Sequence, residues 1–180
     1  ADSSGRLGTL WRRHGPPQPH FQLFPTPMKQ MALDVALAPE PTLAGFVPAG
    51  NAAAVQHVRL WSEGRTRMPV PLYLWGPAGA GKTHLLRGAA HALREQGLAV
   101  GWLDAAAPPR QPFDPAWDAV LLDDVQTYGP ELQHTAFNWF INAVTPTDGR
   151  PRAVLAAGHV PPADLPLRDD LRTRLGWGHE

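Results

Sequence analysis
At 180 residues, 43% of them apolar, the chain is long enough for one domain with a core of its own. Lys plus Arg number 16 and Asp plus Glu also number 16, a neutral balance that disfavours a protein whose main task is gripping nucleic-acid phosphates. The absence of cysteine removes disulfides, thiol catalysis and thiolate zinc sites together, in keeping with a reducing cytoplasm; no apolar run approaches the ~20 residues that span a bilayer, and no charged start leads into the apolar stretch of a secretory signal.

Residues 1–27 carry no sustained period and read as a disordered or non-native leader, with Met28 a sensible initiator. Residues 28–44 read as an extended arm. Within it, Gln30, Met31, Ala32, Leu33, Asp34 and Val35 set a glutamine before alternating apolar side chains. Such a segment can lie extended in another protein's groove, or equally pack as a strand on its own domain. The prolines concentrate before residue 48, in 108–115 and in 161–166, which marks those stretches as loops.

Residues 51–63 predict a helix, with Ala54, Val55, Val58 and Trp61 at helical spacing and Asn51 as its N-cap. A short apolar strand follows at 71–75, then a helix over 81–96 with Leu85, Leu86, Ala89, Ala92 and Leu93 as its stripe. Further strands are predicted at 99–104, 119–123 and 153–157, and helices at 130–144 and 163–175. Strands that alternate with helices mean parallel βαβ units, and near-continuously apolar strands mean a sheet covered on both faces. The predicted fold is therefore an α/β three-layer sandwich with a mostly parallel sheet. The histidines, His84, His91 and His134 among them, form no metal-type pair, and most of the tryptophans read as core packing or as burial at a loop.

Gly76, Pro77, Ala78, Gly79, Ala80, Gly81, Lys82 and Thr83 satisfy the GxxxxGK[ST] pattern of a P-loop between a strand and a helix. Glycines let successive backbone N–H groups face inward around phosphate oxygens, and the following helix adds the partial positive charge of its N-terminus. Lys82 can reach the β- and γ-phosphates of ATP or ADP, and the Thr83 hydroxyl can ligate Mg²⁺. Downstream, the third strand delivers Asp123 and Asp124 at its carboxyl end, where open α/β sheets bind ligands. Asp123 would hold Mg²⁺ through water and Asp124 would polarise the attacking water; a strand followed by an acidic turn is the plain alternative. Asp is shorter than the Glu often found in the second role, which points to slow hydrolysis. Arg174 closes a run of alternating charge from Arg168. It can act in cis, act as an arginine finger on a neighbouring subunit's nucleotide, or belong to a solvated helix face.

GPAGAGKTHLL at 76–86, LLDDVQ at 121–126 and LRTRLGWG at 171–178 together resemble the AAA+ ATPase core of the bacterial initiator DnaA and its relatives, over residues 42–178. The resemblance implies a P-loop NTPase (AAA+) core at 45–180, with His84 joining the nucleotide site. TLAGFVPAGNA at 42–52 is similar to the segment that flanks the adenine, which makes Phe46 and Asn51 candidates for that contact. Short regulatory members of the group open with a sliding-clamp-binding peptide that Gln30, Met31, Leu33 and Val35 resemble, and the resemblance sets Arg174 at the finger position. It implies a regulator of replication initiation with DnaA, the DNA-loaded sliding clamp and a second copy of the chain as partners. DNA would be reached only indirectly, without a membrane role. A DnaA-like initiator or helicase-loader ATPase acting on DNA is the alternative. The family's last core strand and its helical lid, with a second sensor arginine, would fall beyond Glu180. His159 stands where the family has a small polar or acidic residue near the γ-phosphate.

Overall fold
The computed structural model describes residues 41–45, 51–64 and 71–178. The leader at 1–27, the peptide residues Gln30, Met31, Leu33 and Val35, and Phe46 lie outside the described residues. Four short apolar runs form the strands β1 (Leu72–Trp75), β2 (Val100–Leu103), β3 (Ala119–Leu122) and β4 (Ala153–Gly158). They pair in the order β1-β4-β3-β2, and every neighbouring pair is parallel, with Leu155 of β4 in register with both Leu72 of β1 and Leu121 of β3. The connecting helices are α1 (Ala52–Ser62), α2 (Lys82–Glu95), α3 (Pro130–Val144) and α4 (Asp169–Leu175).

Because side chains alternate along a strand, a sheet buried on both faces needs apolar residues at every position. Leu72, Leu74, Leu121, Leu155 and Ala157 point to one face and pack with Val55, Val58 and Trp61 of α1 and Leu86 and Leu93 of α2. Tyr73, Val120, Leu122, Val154 and Ala156 point to the other and pack with Trp139 and Phe140 of α3 and Leu171 and Leu175 of α4. This is the three-layer α/β sandwich the sequence predicts. Each fully buried Leu or Phe contributes about 1.5–3 kcal/mol, so the two cores hold the layers without disulfides.

Three local details depart from expectation. Asn51 is the N-cap of α1, as expected, and its carbonyl accepts the Val55 N–H, but it makes no side-chain capping bond. The helix predicted over 163–175 is two pieces, a 3₁₀ turn at Pro162–Asp164 and α4 proper. Pro166 lies between them, and its missing N–H and its restriction of the preceding residue stop a continuous helix. Of the tryptophans, Trp61 and Trp139 are buried, and Trp102 and Trp117 pack against the cores, but Trp75 and Trp177 are 51% and 56% exposed.

The loop before β3 is packed rather than loose. Trp117 meets Trp139 edge-on with ring centroids 4.4 Å apart, and Phe113 at 5.5 Å. A Cβ at Gly101 would lie 2.5 Å from the Trp117 ring, so only glycine lets that ring reach β2. At the amino end of β4, Arg152 is buried and donates to both oxygens of Asp148 and to the carbonyls of Trp117, Arg150 and Pro115. Among the described residues, no helix is long and apolar enough to cross a membrane.

Candidate nucleotide site
The carboxyl ends of β1, β3 and β4 lead into Gly76, Asp123 and His159 on one side of the sheet. The helix after β1 covers one face and the helix after β3 covers the other. That reversal opens a crevice at the strand ends, where doubly wound sheets take ligands. A cavity of about 420 Å³ lies there, lined by the P-loop residues Ala78, Gly79, Gly81, Lys82 and Thr83, with Pro41, His84, Arg87, Asp124 and His159 around them.

The loop is shaped by two glycines with left-handed backbone, Gly79 at φ 79° and Gly81 at φ 85°. Gly81 is the N-cap of α2 rather than its first residue, which leaves the first N–H groups of the helix directed at the cavity. Lys82 is buried, and its ammonium donates to the carbonyls of Gly76 and Pro77, both at 2.8 Å. Those carbonyls are the acceptors the ammonium has in this structure. A bound polyphosphate gives the same ammonium charged acceptors, which make stronger bonds.

Thr83 Oγ1 donates to Asp123 Oδ1 at 3.2 Å, which joins the P-loop to the end of β3 across the sheet. Asp123 is 4% exposed. Burial pushes its carboxyl above the usual carboxylate range, against the lowering effect of the Thr83 bond, and the neighbouring Asp124 adds to the rise. A buried carboxylate that is disfavoured as an anion, next to a hydroxyl, suits a cation. Mg²⁺ takes one or two protein oxygens and completes its shell with phosphates and water. Thr83 and Asp123 are the residues that could hold it, and the described residues hold no cluster of three or more His, Asp or Glu that would make an all-protein cage. Tyr128 is buried beside Asp123: its hydroxyl donates to the Leu103 carbonyl at 2.8 Å, and burial, with help from Asp123, holds its phenol well above the usual range.

Asp124 has left-handed backbone, φ 49° and ψ 48°, which turns its carboxylate toward the cavity instead of back into β3. Gln126 ties it to β4: Gln126 Nε2 donates to Asp124 Oδ1 at 3.4 Å, and Gln126 Oε1 accepts the His159 backbone N–H at 3.2 Å. His159 Nε2 lies 3.7 Å from the same Asp124 oxygen.

The structure thus brings Lys82, Thr83, His84 and Asp124 to one cavity, with Asp123 bonded behind Thr83. Asn51 is exposed and does not line it. Arg174 does not line it either; it lies on α4, over the ring of Phe137. Sequence reasoning missed Arg87 and the bridging role of Gln126. Arg87 lies four residues after Thr83, one helical turn along the same face, and that spacing could have found it.

No protein-family model matches the chain. Solved structures do. A DNA replication initiation factor superposes with TM-score 0.63 at 24% identity, over 78% of this chain and 48% of its own. Domain III of the Thermotoga maritima replication initiation protein DnaA gives TM-score 0.62 at 24% identity, over 78% of this chain and 65% of its own. AMPPCP-bound DnaA from Aquifex aeolicus gives 0.59 at 24% identity, over 76% and 48%. The chain spans about half the length of the first of these, 48%. At this identity the likeness is one of architecture, and the chain has the DnaA-like AAA+ fold.

Proposed function
We propose that the chain is a nucleotide-binding regulator of replication initiation of the Hda type. In this reading it docks on the DNA-loaded sliding clamp through Gln30, Met31, Leu33 and Val35, meets ATP-bound DnaA through an AAA+ interface, and stimulates hydrolysis of DnaA's ATP with Arg174. Residues 28–44 are the docking arm, residues 45–180 the nucleotide-binding core, and the cytoplasm the place of action. The observation that carries the reading is the separation of two parts. Lys82, Thr83 and Asp124 line the P-loop cavity, with Asp123 bonded behind Thr83, an arrangement that suits a nucleoside polyphosphate, while Arg174 lies outside it. An arginine outside its own nucleotide cavity is available to a neighbour's.

Within the site, Lys82 exchanges two loop carbonyls for phosphate oxygens, and the N–H groups after Gly81 cradle the same phosphates. Mg²⁺, held by Thr83 and Asp123, would neutralise charge between the phosphates. Asp124, steadied by Gln126, is the residue placed to orient a water. Its short reach makes hydrolysis at this chain's own P-loop slow, so nucleotide there acts mainly on the shape of the partner interface.

The test is hydrolysis of DnaA-bound ATP, measured with and without clamp loaded on DNA. Stimulation that needs the clamp, and is lost in Arg174→Ala and in the double variant Gln30→Ala, Leu33→Ala, is the expected result. Clamp binding by the double variant equal to wild type would sink the docking arm. A second reading, a DnaA-like initiator or loader ATPase acting on DNA, is favoured by the likeness to replication initiator DnaA solved with AMPPCP and single-stranded DNA, TM-score 0.61 at 24% identity. It predicts salt-dependent DNA binding with no clamp present.

A further inference from the structure
Three arginines at α4 stand in unlike settings. Arg168 Nη2 donates to Asp170 Oδ2 at 2.6 Å, and Arg172 Nη2 to Asp169 Oδ1 at 2.5 Å. Each has a carboxylate of its own, the ordinary arrangement of a solvated charged face. Arg174 has none among the described residues. Its hydrogen bond is a long one, from Nη1 to the Asp170 carbonyl at 3.4 Å, and its buried Nε has no partner.

What Arg174 has instead is two rings. Its guanidinium carbon lies 4.8 Å from the centroid of Phe137, on α3, and 5.1 Å from that of Trp177. A carboxylate would occupy the N–H fork and cancel the charge. Ring faces attract the cation without cancelling it, and they leave the fork's edge unspent. Arg168 lies over the same Phe137 ring at 5.3 Å, so a second cation adds to the positive field there.

Trp177 is exposed, so burial does not hold it in place. The backbone does. Leu175 before it is fully buried, and a Cβ on Gly178 after it would fall 1.5 Å from the Pro71 carbonyl oxygen. The chain is therefore pinned against the start of β1 on one side of Trp177 and against the core on the other.

We infer that Phe137 and Trp177 form an aromatic clamp that holds Arg174 pre-oriented, with no carboxylate spending its fork, for an anion from outside the chain, namely the polyphosphate of a nucleotide bound to a second AAA+ subunit. The inference rests on the proposed action of Arg174 in trans and adds two positioning residues to it. Phe137 is the half-buried fixed wall, and Trp177 is the exposed wall that the partner meets.

The experiment is the rate of DnaA-ATP hydrolysis at saturating full-length chain, with clamp on DNA, for Trp177→Leu, Trp177→Phe, Phe137→Leu and Arg174→Ala. Losing one ring face is expected to lower the saturating rate by roughly three- to thirtyfold, the range of a cation–π contact. The half-saturating concentration should change much less, and Trp177→Phe should restore most of the rate. Adding Trp177→Leu to Arg174→Ala should cost nothing further, because the ring acts only through the arginine. Three results would overturn the clamp while leaving the finger intact: a wild-type saturating rate in both leucine variants when Arg174→Ala abolishes stimulation, a shift in half-saturation alone, or an additive loss in the double variant. A wild-type rate in Arg174→Ala overturns the finger reading itself.

Discussion

The two ends of the sheet bury charge in opposite ways. At the amino end of β4, Arg152 is 2% exposed, yet its guanidinium is surrounded by acceptors: both Asp148 oxygens at 2.7 and 2.6 Å, the Arg150 carbonyl at 2.7 Å, the Trp117 carbonyl at 3.1 Å and the Pro115 carbonyl. The Phe113 ring covers one side at 5.4 Å. At the carboxyl end, Lys82 has two loop carbonyls, and Asp123 has the Thr83 hydroxyl and the backbone N–H of Asp124. A charge buried to hold the fold is saturated by its own chain, since leaving any of it unpaired costs several kcal/mol. A charge buried for a ligand is held by groups that the ligand can replace.

The largest test of that contrast is Arg152→Ala. Removing one member of a saturated buried network should lower unfolding free energy by about 3–5 kcal/mol, read by urea denaturation, with the ADP affinity of the folded fraction unchanged. Lys82→Ala should do the reverse. ADP affinity should fall by about 100-fold, as for loss of a buried charged contact, while the urea midpoint moves little. Asp123→Asn keeps an acceptor for Thr83 and removes a disfavoured charge. It should stabilise the nucleotide-free chain by about 1 kcal/mol, equivalent to roughly 2–4 °C in Tm, and abolish any Mg²⁺ dependence of nucleotide binding, followed by calorimetry.

The two carboxylates should also respond to acid with opposite signs. The hydrogen bonds from Arg152 hold Asp148 down from 3.8 to about 2. Its stabilising effect is present above pH 3.8 and is lost as pH falls toward 2, and Asp148→Asn should flatten that part of the stability curve. Asp123 is raised above 3.8, chiefly by burial, so folding takes up a proton there. Its contribution declines as pH rises from 3.8 through the raised value, and Asp123→Asn should remove that decline.

The elements that position the site were legible in the sequence. Each strand is an apolar run ended by glycine or aspartate, and α3 begins at Pro130 and ends at Val144 as its spacing predicts. The P-loop was legible because its chemistry fixes its spacing. The Arg152 network was not: Asp148 and Arg152 stand four apart in a turn, not a helix, and two of the carbonyls Arg152 uses, those of Pro115 and Trp117, come from the loop before β3, which packs on β2 through Trp117 against Gly101. Nor was the setting of Arg174, since Phe137 belongs to another helix and the pinning of Trp177 depends on Pro71. Local pattern specifies elements, and contacts between elements depend on how they dock.

The left-handed backbone at Asp124 has one more consequence, and it concerns the routes open to mutation. Among residues with a Cβ, that conformation favours Asp and Asn over longer or branched side chains, by roughly 1 kcal/mol. A single change to glutamate would lengthen the acid by one carbon and at the same time oppose the turn that aims it. In the role proposed for Asp124, a longer acid would therefore meet a conformational cost of about 1 kcal/mol in the turn after β3. Variants selected for turnover should carry paired changes, at residue 124 and in the 3₁₀ turn Val125–Thr127 beside it.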